Sequence, residues 1–244
     1  MLPRPEKPSF RGNPAELTVL IGEKIAFARR DLDDFELRGW NAARLARLEA
    51  DTVTFRKLPT DEELAQGVRK AEKKRADART SYTGAIQTVL SKVRQVYHPE
   101  SAEYRGYGAA RLHQVPDPGF ALLLEQVAAV GLHELASAPA EIKAAYQQAG
   151  LSAAELAALD GGATAFRKLL LAEAAADTRR AVGAQTRIRT SNAVYATGAA
   201  LCDLGKSLFI ATDAARYNDY LLAEPGARNE PPAAKPKQHG AAGT

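Results

Sequence analysis

The residues best suited to metal chemistry in this 244-residue chain are its four histidines, but their spacing does not suit a metal centre. A di-iron helical bundle needs a glutamate three residues before a histidine on two helices, with a further glutamate on each of two others. None of the four has such a glutamate: His98, His113, His133 and His239. His133 and Glu134 are sequence neighbours, so on a helix their side chains diverge by about 100°. We predict no metal and no cofactor.

Nucleophilic catalysis has equally little support. The single cysteine, Cys202, excludes an intramolecular disulfide and has no histidine near it in sequence, so we interpret it as a small core residue. The segment Gly205-Lys206-Ser207 looks like the end of a phosphate-binding loop, but Ala200 stands where that loop needs a glycine, and no strand precedes it. We therefore predict that the chain is not an enzyme.

One basic run could bind a polyanion. Two of its lysines, Lys73 and Lys74, each lie four residues after another basic residue, which places such pairs on one helical face. A basic stripe can follow a phosphate backbone or an anionic surface, whereas the simpler interpretation is a solvated helix face. The candidate residues are Arg69, Lys70, Lys73, Lys74, Arg75 and Arg79.

Two short polar and aromatic motifs occur twice. Arg79-Thr80-Ser81 recurs as Arg189-Thr190-Ser191, which favours a shared packing constraint mid-helix. A Tyr-x-x-Tyr pair also recurs, so its two rings lie about one helical turn apart in each case. We expect these tyrosines to hold a helix end onto the bundle, with a ligand-gripping pair as the alternative: Tyr104 and Tyr107, and Tyr217 and Tyr220.

The element that must position these groups is itself duplicated. Residues 39–58 recur as residues 150–169, and ten of the twenty aligned positions are identical. In both copies a glycine precedes an apolar residue, a capping residue and a leucine, the pattern of a hydrophobic staple at a helix start. The structural equivalents are Gly39, Trp40, Leu45 and Phe55 in one copy and Gly150, Leu151, Leu156 and Phe166 in the other.

The helices around this element can also be predicted. Asn13-Pro14 is a helix start, and apolar residues spaced by three or four predict one helix from there to Gly39. Pro59 separates a helix over 60–97, and Asp117-Pro118 starts the second copy. The second copy has no proline after Leu169, so that helix either continues or kinks near Gly183, with a coiled-coil-like seam over 170–209.

Composition sets the frame. The hydrophobic fraction is 45%, the net charge is +4, and neither a signal peptide nor an apolar run long enough to span a membrane is evident. We predict a cytoplasmic, all-α, elongated helical bundle of two tandem pseudo-symmetric repeats with long antiparallel, coiled-coil-like helices. The segments are a flexible N-terminal arm (1–12), repeat 1 (13–112), repeat 2 (113–223) and a disordered C-terminal tail (224–244).

Packing signals outnumber chemical ones, so the leading hypothesis is a non-enzymatic structural or protein-interaction protein that self-associates or binds another protein. The second hypothesis is a module that binds nucleic acid or an anionic surface through residues 69–79. A third is a small-ligand carrier or enzyme with a pocket between helices.

Overall fold

The computed structural model describes residues 6–10 and 13–222, and every regular element in these ranges is helical. The predicted all-α class is confirmed. The predicted tail, residues 224–244, and part of the predicted arm, residues 1–5 and 11–12, lie outside the described residues. The α-helices are α1 (Pro14–Arg30), α2 (Leu32–Glu36), α3 (Ala42–Lys57), α4 (Asp61–Val93), α5 (Ala102–Gly106), α6 (Asp117–Ser137), α7 (Ala140–Gln148), α8 (Ala153–Phe209) and α9 (Ala214–Asp219), with a short 3₁₀ helix at Ala109–Arg111.

The chain divides into two units that differ from the repeats predicted from sequence. The central unit is residues 61–181, and the terminal unit combines residues 1–60 with residues 182–244. The boundary predicted between residues 112 and 113 falls inside the central unit. Each unit therefore contains helices from both halves of the sequence, and the division into repeats at 13–112 and 113–223 stays a prediction about sequence.

In the terminal unit, α1 begins as predicted and ends earlier than predicted. The Asn13 side chain accepts hydrogen bonds from the Ala15 and Glu16 N–H groups at 2.8 and 3.0 Å, which caps the helix. The expected single helix to Gly39 is interrupted at Asp31, where α1 ends and α2 begins. The Asp31 carboxylate is buried and hydrogen-bonded, and this tertiary requirement overrides the continuous apolar stripe.

The core of the terminal unit contains residues from two distant parts of the sequence. Phe35, Trp40 and Phe55 pack with residues from the last third of the sequence, including Phe209 and Tyr220. Helix α8 approaches α1 closely, because a Cβ added to Gly198 would lie 2.1 Å from the Ile21 side chain. The missing side chain at Gly198 thus permits this close packing.

The N-terminal segment also belongs to this unit over its described part. Phe10 is buried against the core, with its ring centroid 5.8 Å from that of Tyr195. The Ser9 N–H donates to Asn192 Oδ1 at 2.8 Å, and Arg189 pairs with Glu6. Residues 6–10 are therefore attached to α8, which corrects the prediction of a flexible arm for that part.

The central unit consists of α4 to α7 and the first part of α8. Helix α4 ends at Val93 rather than near Tyr97, and residues 94–96 form a turn. The predicted start of the second copy is shifted by one residue: Pro116 is the N-cap of α6, and Asp117 is its first residue. The Asp117 carboxylate is instead paired with two arginines of α4.

Helix α8 is continuous over 57 residues, so of the two predicted alternatives it continues unbroken past Gly183. Within the central unit it runs antiparallel to α4. Arg75 of α4 pairs with Glu173 of α8, and Lys92, further along α4, pairs with Glu155 at 2.6 Å, earlier along α8. These ion pairs set the register of α4 on α8.

The two predicted glycine turns have matching backbones. Gly39 has φ of 82° and Gly150 has φ of 74°, the left-handed conformation of a helix C-terminus. After each turn the next residue donates its N–H back to the preceding helix, from Trp40 to Phe35 at 3.1 Å and from Leu151 to Tyr146 at 3.0 Å.

Candidate functional site

Helix α6 is the most apolar helix of the central unit. It packs on the core of that unit through one face. On its inner face Phe120, Leu124 and Val127 are fully buried. The Phe120 ring lies edge-on to Phe166 of α8, with centroids 5.2 Å apart. Gly131 allows α8 to approach, since a Cβ there would lie 2.6 Å from the Leu156 side chain.

The opposite face of α6 is apolar and exposed. Leu122 is 60% exposed and Leu132 is 37% exposed, and Pro118, Ala129 and Ala136 are exposed as well. These residues recur at spacings of three, four and seven and so share one side of the helix. We call Pro118, Leu122, Ala129, Leu132 and Ala136 the α6 outer face.

Polar groups lie within and beside the α6 outer face; Glu125, three residues after Leu122 and four before Ala129, shares its side of the helix. Glu125 forms a two-pronged ion pair with Arg167 of α8, one contact of which measures 2.6 Å. The hydrogen bond from Arg167 lowers the pKa of the Glu125 carboxyl below its usual value. His133 is exposed on the same side, one residue beyond Leu132. The face is thus an apolar stripe that contains one paired acid and has an imidazole beside it.

The apolar character of α6 also bears on the membrane prediction. An 18-residue window of α6 has a mean hydropathy of 1.3, enough in length and composition to cross a membrane, and 39% of that window is buried. Two glutamates, Glu125 and Glu134, lie within this helix. Both carboxylates are paired within the central unit, Glu134 with the Tyr97 hydroxyl at 3.0 Å. Core helices satisfy the same criterion, and a single such helix is weak evidence for a span.

The predicted polyanion-binding run does not present one continuous charged face. Arg75 and Arg79 both pair with Asp117, and Arg75 also pairs with Glu173. Arg79 further donates to the Val115 carbonyl at 2.6 Å and lies over the Phe120 ring, 4.7 Å from its centroid. These two arginines join α4 to α6 and α8. Arg69 is paired with Glu62.

The three lysines of the run point to solvent. Lys70, Lys73 and Lys74 are exposed, and across residues 6–10 and 13–222 no hydrogen bond or ion pair of their side chains is seen. Arg179 and Arg180 of α8 are exposed in the same unit. In the antiparallel register of α4 and α8, Arg179 lies at about the same level along the helix axes as Arg69. The exposed basic surface therefore consists of Lys70, Lys73, Lys74, Arg179 and Arg180.

The structure places three of the four predicted tyrosines in the cores of the two units. Tyr107 and Tyr220 are fully buried, one in each unit. The hydroxyls of Tyr107 and Tyr146 lie 3.1 Å apart, and burial raises the pKa of Tyr107 to about 12. In the other unit Tyr220 donates to Asp31 at 2.8 Å and stacks on Phe209. Tyr104 is buried as well, whereas Tyr217 is only partly buried.

Other groups able to do chemistry are separated. Cys202 is buried, and burial raises the pKa of its thiol to about 11. Among the residues that the structure describes, no group of three or more His, Cys, Asp or Glu side chains could hold a metal ion.

The chain matches no protein-family model, no curated protein and no solved structure.

Sequence reasoning missed the α6 outer face, although a signal was present. The apolar stretch from Phe120 to Leu135 is broad enough to surround the helix, and a single core can cover only one side of it. An ordinary amphipathic helix would carry large apolar residues only on its buried side, at positions such as Phe120, Leu124 and Val127. The excess apolar residues are those that remain exposed.

Proposed function

We propose that this protein is a non-enzymatic, self-associating interaction protein, and that two copies meet through the α6 outer face. The observation that carries the proposal is the exposure of Leu122 and Leu132 on the apolar helix α6. Exposed large apolar residues that share a helix side are typical of protein-binding surfaces.

A second copy is the occupant because the face is complementary to itself. In an antiparallel pairing about a two-fold axis through Ala129, Leu122 lies opposite Ala136, each seven residues from the axis. Glu125 then lies opposite His133, each four residues from the axis, so the acid faces the imidazole. Ala129 lies against its own copy, where a small side chain lets the two helices approach.

Light scattering after size exclusion, across a series of protein concentrations, tests self-association. The full chain is expected to form a dimer that dissociates on dilution. Leu122→Lys, on the α6 outer face, is expected to yield a monomer at all concentrations, because a charge would be buried. Leu37→Lys is the matched control, since Leu37 is 85% exposed and lies directly after α2, in the terminal unit. A wild-type monomer, or equal behaviour of both variants, contradicts the proposal.

The duplicated sequence bears on how this fold is built. We infer that residues 13–112 and 113–223 are two pseudo-symmetric copies that exchanged their long helices. In support, Tyr220 packs on Phe35 in one unit, while Tyr107 meets Tyr146 in the other, and Phe35 and Tyr146 hold corresponding positions. Coiled-coil-like packing of α4 on α8 is part of the same proposal.

Matched substitutions test this duplication. Leu45 and Leu156 are both fully buried. Leu45→Ala and Leu156→Ala are each expected to lower the free energy of unfolding by about 3 kcal/mol, because each leaves a cavity in an equivalent core. Chemical denaturation measures both. Costs that differ by more than twofold contradict equivalent packing.

Polyanion binding is the second candidate, favoured by the unpaired cluster of Lys70, Lys73 and Lys74. Binding of a heparin or double-stranded DNA probe is expected to weaken steeply with salt and to be lost in Lys73→Glu/Lys74→Glu. Lys7→Glu, a charge reversal in the terminal unit, serves as the control. Binding that ignores salt and the double reversal removes this candidate.

A further inference from the structure

A cavity of about 610 Å³ opens in the central unit, on a side formed by α4, α5 and the 3₁₀ helix. This volume lies within the range of small-molecule pockets. Its floor is apolar: Leu90, Tyr104 and Leu112 line it and are all buried. Small residues, Ala109 and Ala110, complete the wall and leave the space open.

The rim of this cavity is basic. Arg94, Arg105 and His113 line it and are exposed, and no carboxylate is among the described residues that do so. The described residues show no side-chain partner for Arg105 or His113. Arg94 is held at the edge by Tyr104, with its guanidinium 5.7 Å from the ring centroid and a hydrogen bond of 3.3 Å to the hydroxyl.

A second cavity differs from this one because an acid is part of its lining. The cleft between α1 and α3, of about 260 Å³, is also lined by two arginines, Arg29 and Arg56. There Arg29 is neutralised by Glu49 at 2.6 Å, and Glu49 itself lines the cleft. The larger cavity instead has two guanidinium groups and an imidazole around an apolar floor, without an acid to compensate them.

We propose that this cavity binds a small amphiphilic anion, with a carboxylate or phosphate group at the Arg94–Arg105 rim and an apolar body against Leu90 and Leu112. Guanidinium groups recognise carboxylate and phosphate oxygens through paired hydrogen bonds. The buried apolar floor selects a ligand that carries a hydrocarbon part rather than a bare inorganic anion. This site is independent of the α6 outer face.

Isothermal titration of the full chain tests the proposal with four probes: octanoate below its micellar concentration, octyl phosphate, octan-1-ol and inorganic phosphate. Octanoate or octyl phosphate is expected to bind at one site per chain, at least about tenfold more tightly than octan-1-ol or inorganic phosphate, because only they engage both rim and floor. A preference between the two amphiphiles identifies the headgroup as carboxylate or phosphate.

Variants locate the site. Arg105→Gln is expected to weaken binding about tenfold, through loss of a charge-assisted hydrogen bond, with an unchanged thermal unfolding midpoint because Arg105 is exposed. Arg94→Gln is expected to act in the same direction. Arg47→Gln is the matched control, an exposed arginine on α3 with no side-chain partner among the described residues. Failure of every amphiphile to bind at millimolar concentration overturns the proposal, as does binding that all three variants leave equal or inorganic phosphate that binds as tightly as octanoate.

Discussion

The Tyr220 hydroxyl donates a hydrogen bond of 2.8 Å to the Oδ2 atom of Asp31, across 189 residues of sequence. The Asp31 side chain is 1% exposed and also accepts from Arg30 at 2.8 Å. Burial raises the pKa of Asp31, but the hydrogen bonds from Arg30 and Tyr220 outweigh it, so the pKa of this carboxyl lies below its ordinary value. This hydrogen bond links Asp31, which lies between α1 and α2, to Tyr220 at the end of α9.

Removal of this charge should destabilise the protein in a pH-dependent way. Asp31→Asn is expected to lower the free energy of unfolding by about 2 kcal/mol at pH 7, since the Arg30 guanidinium and the buried Tyr220 hydroxyl both lose a charged acceptor. Because the folded pKa is the lower one, the Asp31 contribution is present above the unfolded pKa and is lost as pH falls through the folded pKa. Urea unfolding at pH 7 and pH 3 measures the difference, which should shrink at pH 3.

The control for Asp31 is its exposed neighbour on α2. Asp33 has no side-chain partner among the described residues, so Asp33→Asn should change stability by less than about 0.5 kcal/mol. Equal costs for the two substitutions at pH 7 would show that the buried carboxylate has no special role.

Two adjacent glycines of α8 should respond to alanine in opposite directions. A Cβ at Gly161 meets nothing within 4 Å, so Gly161→Ala is expected to stabilise the helix by about 0.5–1 kcal/mol. A Cβ at Gly162 would lie 2.7 Å from the Tyr82 ring, so Gly162→Ala is expected to destabilise the central unit by about 1–3 kcal/mol. Thermal unfolding of both variants provides the comparison, and the same sign for both would refute the close packing of Tyr82.

Arginine and lysine of the basic run should differ in their effect on stability. Arg79 bonds Asp117 and the Val115 carbonyl, so Arg79→Gln is expected to lower the free energy of unfolding by about 1–2 kcal/mol. Lys73→Gln should leave it within about 0.5 kcal/mol, because Lys73 is exposed and unpaired in the described part of the chain. Chemical denaturation of the two variants decides this. A costly Lys73→Gln would mean that the lysine face is packed rather than solvated.

The thiol of Cys202 should be inert in the folded protein. With burial raising its pKa to about 11, about one thiol in a thousand is ionised at pH 8, and the thiolate is the reactive form. Iodoacetamide labelling, followed by mass spectrometry, is expected to be slow in buffer and fast in urea. Rapid labelling under native conditions would contradict a buried, unactivated cysteine.

Local features of the fold could be predicted because neighbouring residues determine them. The Asn13 cap and the left-handed glycines Gly39 and Gly150 follow from short-range chemistry, whereas the sequence left open whether α8 continues or kinks at Gly183. The break at Asp31 could not, because its cause is a hydrogen bond from Tyr220, far away in sequence. The same holds for Asp117, which a sequence pattern identifies as a cap and which α4 instead holds by two arginines.

The candidate surfaces were predictable only in part. Periodicity shows which side of a helix is apolar, but it does not show which partner covers that side. Residues 6–10 and 13–60 form one unit with residues 182–222. No sequence pattern predicted that these two parts of the chain pack together. For the same reason the basic run reads as one stripe in sequence, whereas Arg75 and Arg79 turn inward and Lys73 and Lys74 do not.

Self-association through the α6 outer face is tested most directly by a cysteine at its proposed two-fold axis. Ala129→Cys is expected to form a disulfide-linked dimer under mild oxidation, because the proposed pairing places residue 129 against its own copy. Ala144→Cys, at an exposed alanine of α7, should stay monomeric under the same conditions. A covalent dimer with Ala129→Cys alone agrees with the account, and equal or absent cross-linking in the two variants contradicts it.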